Sequence, residues 1–172
     1  MRRPVDAERV HRFMRALSAA AETPTRVYFT GGATAVLEGW RESTVDVDLK
    51  LVPETDALFR ALPRLKEELE LNLELVAPSD FIPEIAGWES RSRFIAQEGK
   101  VSFHHYDDYG QALAKIERGH ERDLADVRAM LERGLVEREK LRAFFASIEP
   151  RLYRFPAIDP PSFRAAVERA LA

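Results

Sequence analysis

No cysteine occurs among the 172 residues, so disulfides, thiolate metal sites and cysteine nucleophiles are excluded at once. Nor does one sign of charge dominate: 26 Lys and Arg stand against 29 Asp and Glu. The resulting net charge of −3 gives no reason to expect a uniformly basic nucleic-acid surface. No apolar run approaches the roughly 20 residues that cross a bilayer, and the first residues lack the apolar stretch of a secretory signal. Together these absences predict a cytoplasmic protein that does not enter the membrane. Internal repeats and low-complexity tracts are missing too. What is present is ordinary for a globular chain, 45% hydrophobic and 32% charged, long enough for one domain or a domain with a helical extension.

Hydrophobic periodicity orders the elements. Val10, Phe13, Met14 and Leu17 recur at helical spacing between Asp6 and Ala20. Arg2, Arg3, Arg9, Arg12 and Arg15, set against Asp6 and Glu8, make this stretch the main local basic cluster. It reads either as the solvated face of a helix or as an RNA contact. Pro24 stops the helix, and Val27, Tyr28 and Phe29 predict a strand over Arg26 to Thr30. That strand ends in Gly31 and Gly32, and a helix follows over Ala33 to Glu38. Val45 to Leu51 alternates, with Val45, Val47, Leu49 and Leu51 on one face and Asp46, Asp48 and Lys50 on the other.

Glu54 and Asp56 open a helix whose apolar positions are Leu58, Phe59, Leu62, Leu65 and Leu69, and Pro63 within it predicts a kink or break. Leu71, Leu73 and Leu75 predict a third strand, and Phe94 to Ala96 and Val101 to His105 two more around Gly99. Helices are predicted over Tyr109 to Arg118, Arg122 to Glu132, Glu137 to Ile148 and Ser162 to Leu171, the last after a proline-rich strap from Pro150 to Pro161. Strands and helices interleaved, then helices alone, predict an α+β fold. The expected division is an α/β core over 1–106 with a C-terminal helical region over 107–172 packed on it as one compact unit.

Asp46 and Asp48 lie two apart on a strand and project from one face, so both can reach one hard cation such as Mg²⁺ or Mn²⁺. Such ions bridge phosphate oxygens in phosphoryl transfer. By itself the pair is equally an exposed acidic strand face. Gly31 and Gly32, between strand and helix, let backbone N–H groups approach a phosphate, or else serve only a tight turn that needs positive φ. Glu74 shares the face of the aspartates and is the first candidate for a third carboxylate acting as base; Asp80 is the second. His104 and His105 are adjacent on a strand, point to opposite faces and do not suit one metal. Trp40, Trp88, Phe94, Phe103 and Tyr106 read as core or cleft wall.

The run Phe29-Thr-Gly-Gly-Ala-Thr-Ala-Val-Leu-Glu-Gly-Trp-Arg-Glu-Ser-Thr-Val-Asp-Val-Asp-Leu49 resembles the motif of the nucleotidyltransferase-like superfamily: a Gly-Gly turn, a helix, then an Asp-x-Asp strand. Arg41 and Ser43, with Lys115 in Ala112-Leu-Ala-Lys-Ile-Glu-Arg118 and the later Arg122-Asp123-Leu-Ala-Asp126, resemble its AbiEii and MenA toxin-like branch. The resemblance implies a mixed sheet backed by helices and transfer of a nucleoside monophosphate from a triphosphate to an RNA (tRNA) end or a protein hydroxyl. It implies that Asp46 and Asp48 hold Mg²⁺, that Gly31 and Gly32 cradle phosphates, that Lys115 neutralises triphosphate charge, and that Asp123 positions Lys115 or the nucleotide. Arg41 and Ser43 either touch phosphate or fix the loop before the strand, and Arg122 and Asp126 suit an i,i+4 pair. It also admits a toxin role with an antitoxin as partner.

Many members of the superfamily carry Ser or Thr where this chain has Ala33; Thr34 follows, turned about 100° around the helix. That departure keeps a second reading open, a catalytically weak nucleotide-binding or interaction module of the same fold.

Overall fold

The computed structural model describes residues 3–172, so Arg2 of the basic cluster lies outside the described residues. The chain forms two compact units. The first runs through Ala77 and resumes at Ser92–Tyr106; the second comprises Pro78–Arg91 and Asp107–Ala172.

In the first unit, helix α1 spans Ala7–Ala20, capped by Asp6, whose carboxylate accepts from the Arg9 N–H at 2.9 Å. Strand β1 (Thr25–Thr30) leads through Gly31 into helix α2 (Gly32–Glu38). Strand β2 (Asp46–Val52), helix α3 (Asp56–Glu68) and strand β3 (Asn72–Leu75) follow, and the hairpin of β4 (Phe94–Glu98) and β5 (Val101–His105) completes the sheet. Strand order is β3-β2-β1-β5-β4. β1 is antiparallel to β2 and parallel to β5; β2 is parallel to β3, and β4 antiparallel to β5. The fold class is therefore α+β, as the element pattern predicts.

One face of this sheet is the core. Val27 and Phe29, Val47, Leu49 and Leu51, Leu73, Val101 and Phe103 pack with Val10, Phe13, Met14 and Leu17 of α1 and Leu58, Ala61, Leu62 and Leu65 of α3. Each of these Val, Leu, Phe and Met side chains contributes roughly 1.5–3 kcal/mol by leaving water. Because pleating alternates side chains, Asp46, Asp48 and Lys50 emerge on the opposite face.

Five expectations about element bounds and burial are corrected. Val45 is 59% exposed because it falls between the isolated antiparallel bridge of Thr44 with Val5 and the start of β2 at Asp46. α3 runs through Pro63 without a break, held by apolar residues on both sides of it, while Phe59 is exposed rather than buried. Leu75 is exposed at the end of the short edge strand β3. The last helix starts at Pro160, because two prolines fit the first helical positions, where no N–H is needed. In the basic cluster, Arg9 is a structural clamp: its guanidinium donates to the carbonyls of Arg3, Pro4, Leu69 and Glu70 at 2.7–3.0 Å, tying α1 to the end of α3.

The second unit is helical: α4 (Trp88–Arg91), α5 (Asp108–Arg118), α6 (Glu121–Glu132), α7 (Arg138–Ile148) and α8 (Pro160–Leu171), with 3-10 turns at Pro78–Asp80 and Glu149–Arg154. Its core joins Leu113, Ile116, Val127, Met130, Leu141, Phe145, Phe163 and Val167. Asp107 caps α5 and receives a two-pronged hydrogen bond from Arg91, whose guanidinium also lies 4.3 Å from the Phe144 ring centre. Among the described residues no helix is long and apolar enough to cross a membrane.

Gly32 packs directly against the Thr44 side chain. A Cβ added there would stand 1.9 Å from Thr44 Oγ1 and 2.7 Å from Thr44 Cβ. Gly32→Ala is expected to destabilise the protein by about 1–3 kcal/mol, the usual cost of overpacking. Thr44→Gly in the same chain should recover part of that loss in urea unfolding. Equal stability of wild type and Gly32→Ala would refute this packing.

Candidate functional site

The strand directions bring several chemically useful side chains to one end of the sheet. β1 finishes there, while β2 and β3, both opposite in sense to β1, begin there. Asp48 pairs in register with Thr30 on one side and Glu74 on the other; Asp46 pairs with Asn72. Register partners on adjacent strands share a face, so Asp46, Asp48, Asn72 and Glu74 lie together on the side of the sheet away from the core. Glu74 is exposed and Asp48 half-buried.

The Gly31–Gly32 turn adjoins this group. Gly31 has φ +62° and ψ −129°, a backbone setting that glycine reaches without steric cost. A Cβ at Gly31 would sit 3.3 Å from Asp48 Oδ2, so the missing side chain lets the turn approach that carboxylate. Asn72 Nδ2 donates to Asp46 Oδ1. Asp48 Oδ1 is buried and accepts no hydrogen bond among the described residues, although Asp48 has other interactions.

Thr34, Arg41 and Ser43 lie on α2 and on the loop between α2 and β2. Thr34 is buried, and its hydroxyl lies 3.3 Å from the Phe29 carbonyl and 3.1 Å from His105 Nδ1. It thus faces inward. Ala33 is fully buried. Arg41 is half-buried and its N–H donates to the Ala35 carbonyl at 3.3 Å, while Ser43 is exposed on the loop before β2.

His105 links the turn to the hairpin. Its Nε2 is 3.2 Å from Glu38 Oε1, and Arg93 also pairs with that carboxylate. Burial first, then the Arg93 charge, lowers the His105 pKa to about 4, against the opposing pull of Glu38. The ring is therefore neutral at pH 7. The neutral ring has one donor and one acceptor, and it sits between the Glu38 carboxylate on the Nε2 side and the Thr34 hydroxyl on the Nδ1 side. His104, on the opposite face, stacks on Tyr28 at 5.2 Å, and burial with the Arg26 charge lowers its pKa as well.

Lys115 and Asp123 belong to the second unit, on α5 and α6. Lys115 is 4% exposed; its ammonium lies 2.7 Å from Asp126 Oδ2 and 3.9 Å from Asp123 Oδ1. Arg118 grips Asp123 with two hydrogen bonds of 2.6 and 2.8 Å. Burial alone would raise the Asp123 pKa, but hydrogen bonding and charge from Arg118, with Lys115 behind it, hold it below the ordinary carboxylate value. Asp126 thus pairs across helices with Lys115 rather than with Arg122, which is exposed. Asp80 ends the 3-10 turn of the same unit.

The residues that sequence reasoning missed are Asn72, Thr44, Glu38 and Arg93. Asn72 was foreshadowed by its alternation with Leu71 and Leu73; the others act through contacts with no local signature.

A Gly-Gly turn beside paired strand carboxylates, at one end of a mixed sheet backed by helices, is the arrangement of a nucleotidyltransferase-like protein. The family model described as "Nucleotidyltransferase of unknown function (DUF6036)" matches residues 7–155, and the chain belongs to that family. Neither the curated proteins nor the solved structures gave a match.

Removing the Lys115 ammonium would take from the buried Asp126 carboxylate the cation that lies 2.7 Å away. Lys115→Met is expected to cost about 3–5 kcal/mol in urea unfolding, as buried pairs do when one partner is lost. Lys115→Met/Asp126→Leu should recover most of it. A single-variant loss below about 1 kcal/mol would contradict the pairing.

Proposed function

We propose that this protein is a Mg²⁺-dependent nucleotidyltransferase that moves a nucleoside monophosphate from a nucleoside triphosphate to an RNA end. The observation that carries the reading is the placement of Asp46 and Asp48 on one face, beside the Gly31 turn, in a chain of this family. The donor set fits the ion. Among the described residues no group of three His, Cys, Asp or Glu is arranged to hold a metal. Mg²⁺ needs no such group, since it takes one or two carboxylates and completes its shell with waters and substrate phosphates.

Asp46 and Asp48 would hold Mg²⁺, which when bound neutralises charge on the triphosphate and its leaving group. Asn72 fixes the Asp46 carboxylate by its hydrogen bond, so less ordering is left for binding. The absent Cβ at Gly31 lets the backbone of the turn come close to Asp48, where its N–H groups would meet a phosphate held by the cation. Glu74, exposed and in register with Asp48, would take the proton of the attacking hydroxyl. The oxygen–phosphorus bond then forms at the α-phosphate and pyrophosphate leaves. In this reading Lys115 and Asp123 support the helical unit through their ion pairs, and Thr34 orders the turn through His105.

The Arg41, Ser43, Lys115 and Asp123 pattern, which resembles the AbiEii and MenA branch, supports a tRNA end as acceptor and a toxin role neutralised by an antitoxin. A protein hydroxyl is the other acceptor that the reading admits. One observation favours a weaker or inactive relative instead: with Ala33 buried and Thr34 turned inward, neither residue offers a hydroxyl at the glycine turn.

Incubation with each α-labelled nucleoside triphosphate, Mg²⁺ and total tRNA separates these readings. Label transfer with pyrophosphate release is expected, reduced at least about 100-fold in Asp46→Asn/Asp48→Asn. Triphosphate binding without pyrophosphate release, in folded protein with RNA and protein acceptors supplied, would establish the inactive module.

A further inference from the structure

We infer that the helical second unit carries a docking cleft for an acidic amphipathic segment of a partner protein. The cleft measures about 560 Å³ and is formed wholly within that unit, by α5, α6, the start of α7 and α8. Its volume falls in the range of ligand pockets, roughly 300–1,000 Å³. The floor is aliphatic: Ile116 from α5, the stripe Leu124, Val127 and Leu131 on α6, and Ala166 and Ala170 on α8. Leu124 and Leu131 are only half-buried, so the apolar stripe of α6 is wider than its neighbours cover. The small side chains of α8 leave that gap open.

Charge decides what fits there. Arg128, Arg138 and Arg169 line the same cleft, are exposed, and stand on three different helices. Among the described residues they make no ion pair or side-chain hydrogen bond, whereas Arg91, Arg118, Arg142 and Arg164 of the same unit each hold a carboxylate. Glu132 is the one acidic side chain of the lining. Three uncommitted guanidinium groups around an aliphatic floor complement a ligand that has apolar side chains and several carboxylates.

A free inorganic anion would leave the floor in water. A nucleic-acid strand would find charge but no aromatic ring among the lining residues on which to stack a base. Cationic groups distributed over three helices suit carboxylates spread along a peptide better than a single head group. An amphipathic helix with Leu, Ile or Met anchors and flanking Asp or Glu satisfies both requirements.

The test is selection of a randomised peptide library displayed on phage against the full chain, with Arg128→Glu/Arg169→Glu and Ala170→Trp as comparison proteins. The first variant reverses the rim and the second fills the cleft. Arg128 and Arg169 are exposed and Ala170 is half-buried, and thermal melts verify that the variants fold. Expected is enrichment of sequences with aliphatic anchors flanked by Asp or Glu, whose synthetic peptides bind at least about 10-fold more weakly to each variant and weaken as salt rises. Three results would overturn the proposal: no enrichment over a selection without protein, peptides whose binding ignores both variants, or arginine-dependent binding of a single-stranded RNA oligonucleotide in place of any peptide. Because the readout is binding, the outcome is independent of nucleotide transfer, which both variants should retain.

Discussion

The contact between the Gly31–Gly32 turn and the start of β2 governs the geometry of the candidate site. Gly32 lies so close to Thr44 that any side chain there would collide with its Cβ, and Gly31 allows the turn to approach Asp48. Thr44 is itself fixed, bridged on both backbone sides to Val5 at 2.7 and 2.9 Å. The turn, the loop before β2 and the segment preceding α1 therefore form one joint. From that joint β2 inherits its register: Asp48 beside Thr30 and Glu74, Asp46 beside Asn72. A one-residue slip would send Val47 and Leu49 to the open face and the aspartates into the core, at prohibitive cost.

A second constraint works alongside it from the other side of the turn. Thr34, His105, Glu38 and Arg93 link α2 to β5 and to the residue before β4 through a chain of polar contacts. The histidine within it is kept neutral by burial, which lets it both accept and donate in that chain. In the helical unit the comparable role falls to Lys115, Asp126, Asp123 and Arg118, an ion-pair cluster that joins α5 to α6. Both clusters contain residues that a motif search would assign to the ligand. Their contacts tie them first to the protein.

Much of this could be read from residue order alone, for identifiable reasons. β2 was legible because alternation of Val and Leu with Asp and Lys is a two-residue period that only a half-buried strand explains. The placement of Glu74 with the aspartates followed from the same alternation in β3, and register confirms the shared face. Edges were less legible: Val45 continues the apolar pattern but precedes the first ladder bond, and Leu75 belongs to a four-residue edge strand with little to bury against. Pro63 misled because local propensity says nothing of the core contacts that hold α3 on either side of it. Lys115 and Asp126 lie 11 residues apart along the chain and Thr34 and His105 lie 71 apart, beyond the reach of a local pattern.

Everything proposed for this site depends on Asp46 and Asp48 holding the cation and, through it, the triphosphate. The most direct measurement is a crystal soaked with Mn²⁺ and a non-hydrolysable nucleoside triphosphate, with the metal located by its anomalous scattering. A peak between the two carboxylates, touching the triphosphate beside Gly31, is the result this account predicts. Nucleotide bound elsewhere, or no peak at these carboxylates at saturating Mn²⁺, would contradict it.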